Sequence, residues 1–147
     1  MENQSDAATD VRAIHSTLNQ YAFAIDTRDW PKLKQLFDEN SVTVYHGLGE
    51  FLGPDAAADF VRRVITQCGV TQHLIGTVDI EVDGAKGTAR SYLQAIHIGI
   101  GENEGKRYTV WGEYRDTLEK RGERWVFLRR ELHTLHSEGD IGITLED

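Results

Sequence analysis

Few side chains in this sequence are suited to moving a proton, and three of them stand out by their settings. Asp26 closes an apolar helical stripe, near the face that carries Tyr21 and Ala22. His73 lies in "TQHLIGT", beside two apolar residues, just after an amphipathic segment and just before an alternating one. His97 lies in "YLQAIHIGI", on the strand face shared by Leu93 and Ala95. A carboxylate at a helix end that reaches a histidine entering a sheet accepts a proton from one ring nitrogen. It thereby fixes the tautomer and stabilises the imidazolium formed when the other nitrogen takes a proton. That is acid–base chemistry without a nucleophile. Each residue also has a structural reading: Asp26 as a cap for the turn before "DWPK", either histidine as a core group satisfied by a buried partner.

Other chemistries find less support. There is no G-x-S-x-G motif, and the single cysteine, Cys68, falls on the buried side of a helix, so acyl transfer through a covalent intermediate is disfavoured. "GLGEFLG" lacks the lysine and following helix pattern of a phosphate loop, so no nucleotide cofactor is implied. His133 and His136 in "HTLH" are expected on opposite faces of a strand, and with no third ligand apparent, no metal is expected. His15 lies off the first apolar stripe, and His46 ends a strand beside a glycine loop without an evident role.

The elements that must position these residues can be read from periodicity. Val11, Ile14, Leu18, Tyr21, Ala22 and Ile25 predict a helix, with Asp10 as its N-cap. Pro31 opens a second helix with Leu33, Leu36 and Phe37 on its apolar face, and "SVTVYH" (41–46) reads as a short strand. Pro54 opens a third helix, buried along Phe60, Val61, Val64, Ile65 and Cys68. From residue 70 the period changes to two: Val78, Ile80 and Val82 alternate with acids, and Asp83-Gly84 turns the chain. Three further long strands follow, "TARSYLQAIHIGI", "KRYTVWGEYRDTLEK" and "RWVFLRRELHTL", separated by "GENEG" and "RGE". Helices first and a strand meander second is an α+β pattern, in which a twisted sheet with one apolar face can curl around the helices and leave a pocket.

Composition sets the outer bounds. The chain has 147 residues, one domain by length, with 39% apolar and 27% charged residues. A frayed N-terminus is expected at 1–8, the domain at 9–137, and a short acidic tail at 138–147. A formal charge of −8 without a basic run excludes phosphate-backbone binding, so no nucleic-acid partner is expected. "MENQSDAATD" has neither the basic start nor the apolar stretch of a secretion signal, no run is long enough to span a membrane, and one cysteine fits a reducing compartment. A cytoplasmic protein is expected, with no membrane partner. Tyr92, Trp111 and Trp125 offer aromatic area for a homodimer or homotrimer; the alternative, strongest for Trp125, is that they pack under the domain's own helices.

Across residues 11 to 132 the chain resembles the SnoaL-like branch of the nuclear transport factor 2-like superfamily. The resemblance rests on "AIDTRDW", "VTVYHG", "TQHLIGT", "RSYLQAIH" and "GERWVF". Within that branch it is most similar to the scytalone dehydratase group, related to bile-acid dehydratases and a hexachlorocyclohexane dehydrochlorinase. The resemblance implies a cone-shaped, cystatin-like sheet wrapped around three N-terminal helices, in either a mixed or an antiparallel arrangement. It matches Asp26 and His73 to a catalytic dyad, Tyr45 to a tyrosine that polarises the substrate carbonyl through water, and His97 to a second pocket histidine. Tyr21, Trp111 and Tyr114 are the expected substrate-contacting positions. Ile25 replaces a tyrosine of the fungal enzyme, Gly112 and Tyr114 replace its substrate-gripping serine and asparagine, and the pocket-closing C-terminal segment is reduced to "SEGDIGITLED".

The implied activity is a cofactor-free lyase, dehydratase-like, or an isomerase, acting on a small, largely apolar molecule. The alternatives are a polyketide cyclase-like or ketosteroid isomerase-like enzyme and a non-catalytic small-molecule-binding or assembly subunit of the same fold.

Overall fold

Four apolar residues of the first helix, Ile14, Leu18, Tyr21 and Ile25, recur at helical spacing and are all but fully buried. The computed structural model describes residues 6–145, and this helix, α1, runs Ala7–Asp26. It starts a turn earlier than the expected Asp10 cap, because the Asp6 side chain accepts from the Ala8 backbone N–H at 2.6 Å. Asp10 instead lies in the first turn, buried, with Lys120 Nζ 3.0 Å from its carboxylate. Of the stretch 1–8 expected to fray, residues 1–5 lie outside the described residues, and Ala7 and Ala8 are helical.

The chain leaves α1 through Arg28, whose φ of +60° is left-handed. That conformation costs a non-glycine residue about 1–2 kcal/mol, and here it is offset by guanidinium hydrogen bonds to the Ile25 and Asp26 carbonyls and to Thr71 Oγ1. Asp29 caps α2 (Trp30–Lys34), which is only five residues long, so Phe37 begins β1 (Phe37–Tyr45) instead of completing a helical face. β2 (Gly49–Leu52), within the glycine-rich stretch expected as a turn, pairs back on β1, and α3 (Gly53–Ile65) follows.

The long strands are β3 (Thr71–Asp83), β4 (Lys86–Ile98), β5 (Arg107–Arg121) and β6 (Arg124–Gly139). They form a curved sheet in the order β2-β1-β6-β5-β4-β3, antiparallel except for the β1–β6 seam, which is parallel. β2 and β3 are its two edges, so the sheet is open and not a closed barrel. Alternation decides what faces inward: along β4 it is Ala89, Ser91, Leu93, Ala95 and His97. Trp125 (1% exposed) and Leu118 join Ile14 and Leu18 in one core, and Thr17 Oγ1 donates to the Trp125 carbonyl at 2.8 Å. Gly87 permits the close approach of α1, since a Cβ there would sit 2.6 Å from Ile14 Cδ1. Among the described residues no helix is long and apolar enough to cross a membrane.

Candidate active site

A cavity of about 360 Å³ opens on the inner face of the sheet. β4 contributes Leu93, Ala95 and His97 to its wall, β5 Tyr108, Val110 and Tyr114, and α3 Phe60, Val61 and Val64. The wall is mostly apolar, and its polar side chains are imidazoles and phenols, with Thr134 and Asp140 besides.

His73 enters from β3 and lines this cavity. Its Nδ1 lies 2.7 Å from Asp26 Oδ1, and its backbone N–H donates to Asp26 Oδ2 at 2.8 Å. Thr71 Oγ1 donates to Asp26 Oδ1 at 2.9 Å while itself accepting from Arg28 Nη1 at 2.7 Å. The left-handed turn at Arg28 thus ties the end of α1 to the start of β3. Burial alone would raise the Asp26 pKa, but the His73 and Thr71 hydrogen bonds together hold it below the usual carboxylate range. An ionised Asp26 can only accept, so Nδ1 carries a proton, and in the neutral tautomer Nε2 is the ring's acceptor. Asp26 itself does not line this cavity and touches it through His73; its other side faces a separate groove beside Phe23 and Leu74.

His97 is buried, and its Nδ1 donates to the Tyr108 carbonyl at 3.1 Å. Burial lowers its pKa to about 4, against a smaller upward pull from that hydrogen bond. It is therefore neutral near pH 7, with Nε2 again an acceptor. The His73 and His97 rings meet edge to face, 5.8 Å apart.

The phenols sit across from the imidazoles. Tyr21 and Tyr45 hydroxyls are 2.5 Å apart, and the Tyr21 ring meets Tyr114 edge to face at 5.7 Å. Burial pushes all three phenols above their ordinary pKa, so they stay protonated as donors. Beneath them lies Arg130, whose guanidinium carbon is 3.6 Å from the Tyr114 ring centroid and 4.0 Å from that of Tyr21. Arg130 and Asp116 are both fully buried, with Nε 3.6 Å from Oδ1 and no hydrogen bond to either group among the described residues. Burial raises the Asp116 pKa to about 7, and Arg130 limits the rise.

The structure thus brings Asp26, His73, Tyr45, His97, Tyr21 and Tyr114 to one region. Trp111 is a correction: it pairs with His136 on the outer face, ring centroids 5.5 Å apart, and does not line the cavity. Trp125 is core and offers no exposed aromatic area, whereas Tyr92 is 49% exposed. His133 and His136 are also corrected. β5 pairs Gly112 with Thr134 and Trp111 with His136, which leaves Leu135 as an extra, unpaired residue. That bulge returns both histidines to one face.

Arg130, Asp116, Thr71 and Arg28 went unrecognised in the sequence, as did the apolar content of the tail. Gly139, at φ +88°, bends the chain out of β6, and Ile141, Ile143 and Leu145 then wall the cavity. Gln67, just past α3, grips this segment by donating to the Thr144 carbonyl at 2.8 Å and accepting from the Thr144 N–H at 2.9 Å. The acidic residues 146–147 lie outside the described residues.

An open, curved α+β sheet folded over its helices, with a mostly apolar pocket on the concave side, defines the nuclear transport factor 2-like class. Within it, the chain belongs to the SnoaL-like domain family, whose model matches residues 6–131.

Solved structures agree. A candidate scytalone dehydratase from Novosphingobium aromaticivorans is 27% identical, with a TM-score of 0.81 over 89% of this chain and 87% of that one. A candidate aromatic ring hydroxylase from the same organism is 21% identical, with a TM-score of 0.83 over 92% and 96%. The hexachlorocyclohexane dehydrochlorinase LinA-type3 from Novosphingobium barchaimii is 18% identical, with a TM-score of 0.80 over 92% and 93%. The last two likenesses speak to the fold alone. Among curated proteins, none matches the sequence significantly.

Proposed function

We propose that the protein is a cofactor-free lyase that removes water, or another small leaving group, from a compact and largely apolar substrate bearing an acidic C–H. The observation that carries this reading is the Asp26–His73 contact at 2.7 Å on the wall of a cavity of about 360 Å³. That volume is near the small end of ligand pockets, about 300–1,000 Å³. Neutral His73 Nε2 takes the proton next to a carbonyl, and ionised Asp26 stabilises the imidazolium, an effect worth roughly 10²- to 10⁴-fold for a positioned base.

With Tyr21 donating to Tyr45, the Tyr45 hydroxyl keeps its own proton for the developing enolate oxygen, and Tyr114 backs Tyr21. Arg130 beneath the phenol rings favours their polarisation toward that oxygen. His97 holds the leaving hydroxyl and does not protonate it. A neutral ring whose Nδ1–H is committed to the Tyr108 carbonyl has no proton left to give from Nε2, so it accepts a hydrogen bond from the substrate hydroxyl and orients it. The proton needed for departure returns from the His73 imidazolium. One ring thus acts as base and then as acid.

The candidate scytalone dehydratase among the similar structures supports an elimination over a double-bond shift or cyclisation. A cavity that reaches His73, without bulky side chains filling it, supports an enzyme over a binding or assembly subunit. The test is a panel of cyclic β-hydroxy ketones, followed by enone absorbance with wild type and His73→Ala. Turnover by wild type, reduced at least about 10²-fold in the variant, is expected. Equal turnover by a correctly folded His73→Ala protein removes His73 from the reaction.

A further inference from the structure

The strands that wall the cavity carry a second group of ionisable side chains on their reverse. The parallel seam sets Tyr45 beside Leu132, both facing the cavity. One residue further along, His46 meets His133 on the outer face, and their rings stack with centroids 4.1 Å apart. Glu131, two residues before His133, shares that face, and its Oε1 lies 3.0 Å from His46 Nε2. One ring nitrogen from each histidine and a Glu131 oxygen all lie within 4.8 Å of one another. His133 Nε2 is buried and has no hydrogen-bond partner among the described residues.

We propose that His46, Glu131 and His133 form a binding site for a divalent transition-metal ion of the zinc class. Two imidazoles and a carboxylate are the borderline nitrogen and oxygen donors that Zn²⁺, Co²⁺ and Ni²⁺ take, whereas Ca²⁺ and Mg²⁺ favour all-oxygen sets. A tetrahedral ion with ligands at about 2.0–2.2 Å spaces them by about 3.3 Å. His46 and Glu131 stand near that spacing already, and small side-chain rotations bring His133 to it. Binding would give the bare His133 nitrogen a partner and replace the His46–Glu131 hydrogen bond with two coordinate bonds. Arg129 Nη2, 3.5 Å from the same Glu131 oxygen and half-exposed, swings to solvent as the ion takes over its charge. His46 is 46% exposed at its side chain, which leaves room for water to complete the coordination shell.

The opposed pair on β5 does not compete for the ion. Glu113, which faces His133 in the strand register, is already held by Arg90 and Arg115. The site lies outside the cavity, on the far side of the sheet from His73 and His97. The ion would clip β1 to β6 at the one parallel seam, directly behind Tyr45 and Leu132.

Calorimetric titration of chelator-treated, tag-free protein with Zn²⁺ at neutral pH reads the site directly. One equivalent per chain is expected, with affinity reduced at least about tenfold in both His133→Ala and Glu131→Gln. His73→Ala, His136→Ala and Cys68→Ser are expected to bind as wild type does. Two variants of different chemistry, each checked by circular dichroism, separate ligand loss from misfolding. No heat of binding, unchanged affinity in a folded His133→Ala protein, or loss of binding in the His73, His136 or Cys68 variants overturns the site.

Discussion

His97 makes a prediction that can be checked without knowing the substrate. Its imidazole is 6% exposed and its pKa is lowered from 6.5 to about 4, chiefly by burial. Above pH 6.5 folded and unfolded chains both hold it neutral, so it subtracts nothing there. As pH falls from 6.5 toward about 4, the unfolded chain takes up a proton that the folded chain refuses. Stability then declines as pH falls, by about 2 kcal/mol at about pH 5 and about 3 kcal/mol in full.

That is a large part of a typical domain's stability of about 5–15 kcal/mol. His97→Asn keeps a donor for the Tyr108 carbonyl on a side chain that does not titrate. Guanidinium unfolding followed by tryptophan fluorescence, compared between wild type and variant from about pH 7 to about pH 5, reads the titration of His97 together with its coupling to His73 and Asp26, the remaining titrations being common to both. Wild type is expected to lose about 2 kcal/mol more than the variant over that range. Parallel curves would mean that the folded protein protonates His97 as readily as the unfolded chain does. The neutral acceptor role would then fall with the burial argument.

Asp26→Asn removes the charge that stabilises the His73 imidazolium, and its amide can accept from only one of the two His73 donors that the carboxylate holds. In a steady-state assay kcat is expected to fall about 10²- to 10⁴-fold with KM little changed. Arg130→Met leaves Asp116 buried without its cation and is expected to cost about 3–5 kcal/mol in chemical denaturation, part of it returned by adding Asp116→Asn. Gln67→Ala releases the segment that carries Ile141, Ile143 and Leu145, and is expected to raise KM more than it lowers kcat, with folding stability almost unchanged.

Long elements with a repeated period were legible in the sequence. The α1 stripe and the alternation of β3 and β4 recur often enough that tertiary context could not disguise them. The hairpins at Gly84 and Gly122, with φ of +61° and +63°, were legible for the same reason that glycine occupies them. Short or irregular features were not. β2 is four mostly exposed residues with a glycine at its start, and resembles a turn in composition. The unpaired Leu135 inverts every facing beyond it, and no residue type announces a bulge.

Among site residues, Asp26 and His73 were visible as separate oddities, but nothing local says that a helix end meets a strand start. Arg130 was hidden by its neighbour, because "LRRE" reads as a charged surface. Counting back by two from the cavity-facing Leu132 would have placed Arg130 inside and Arg129 out. The tail misled through its acids, which mask the alternation of Ile141, Ile143 and Leu145.

That tail separates two properties that most pockets entangle. The proton-transfer groups are locked into the helix–sheet junction, where a change in one disturbs several hydrogen bonds. Part of the wall that judges a guest's outline, however, lies outside the sheet, where Gln67 grips it. Substitutions at positions 141, 143 and 145 can therefore remould which molecules fit while the Asp26–His73 junction stays as it is. On the proposed chemistry, a lineage carrying this domain could change its diet with a handful of such edits, without having to reinvent the reaction.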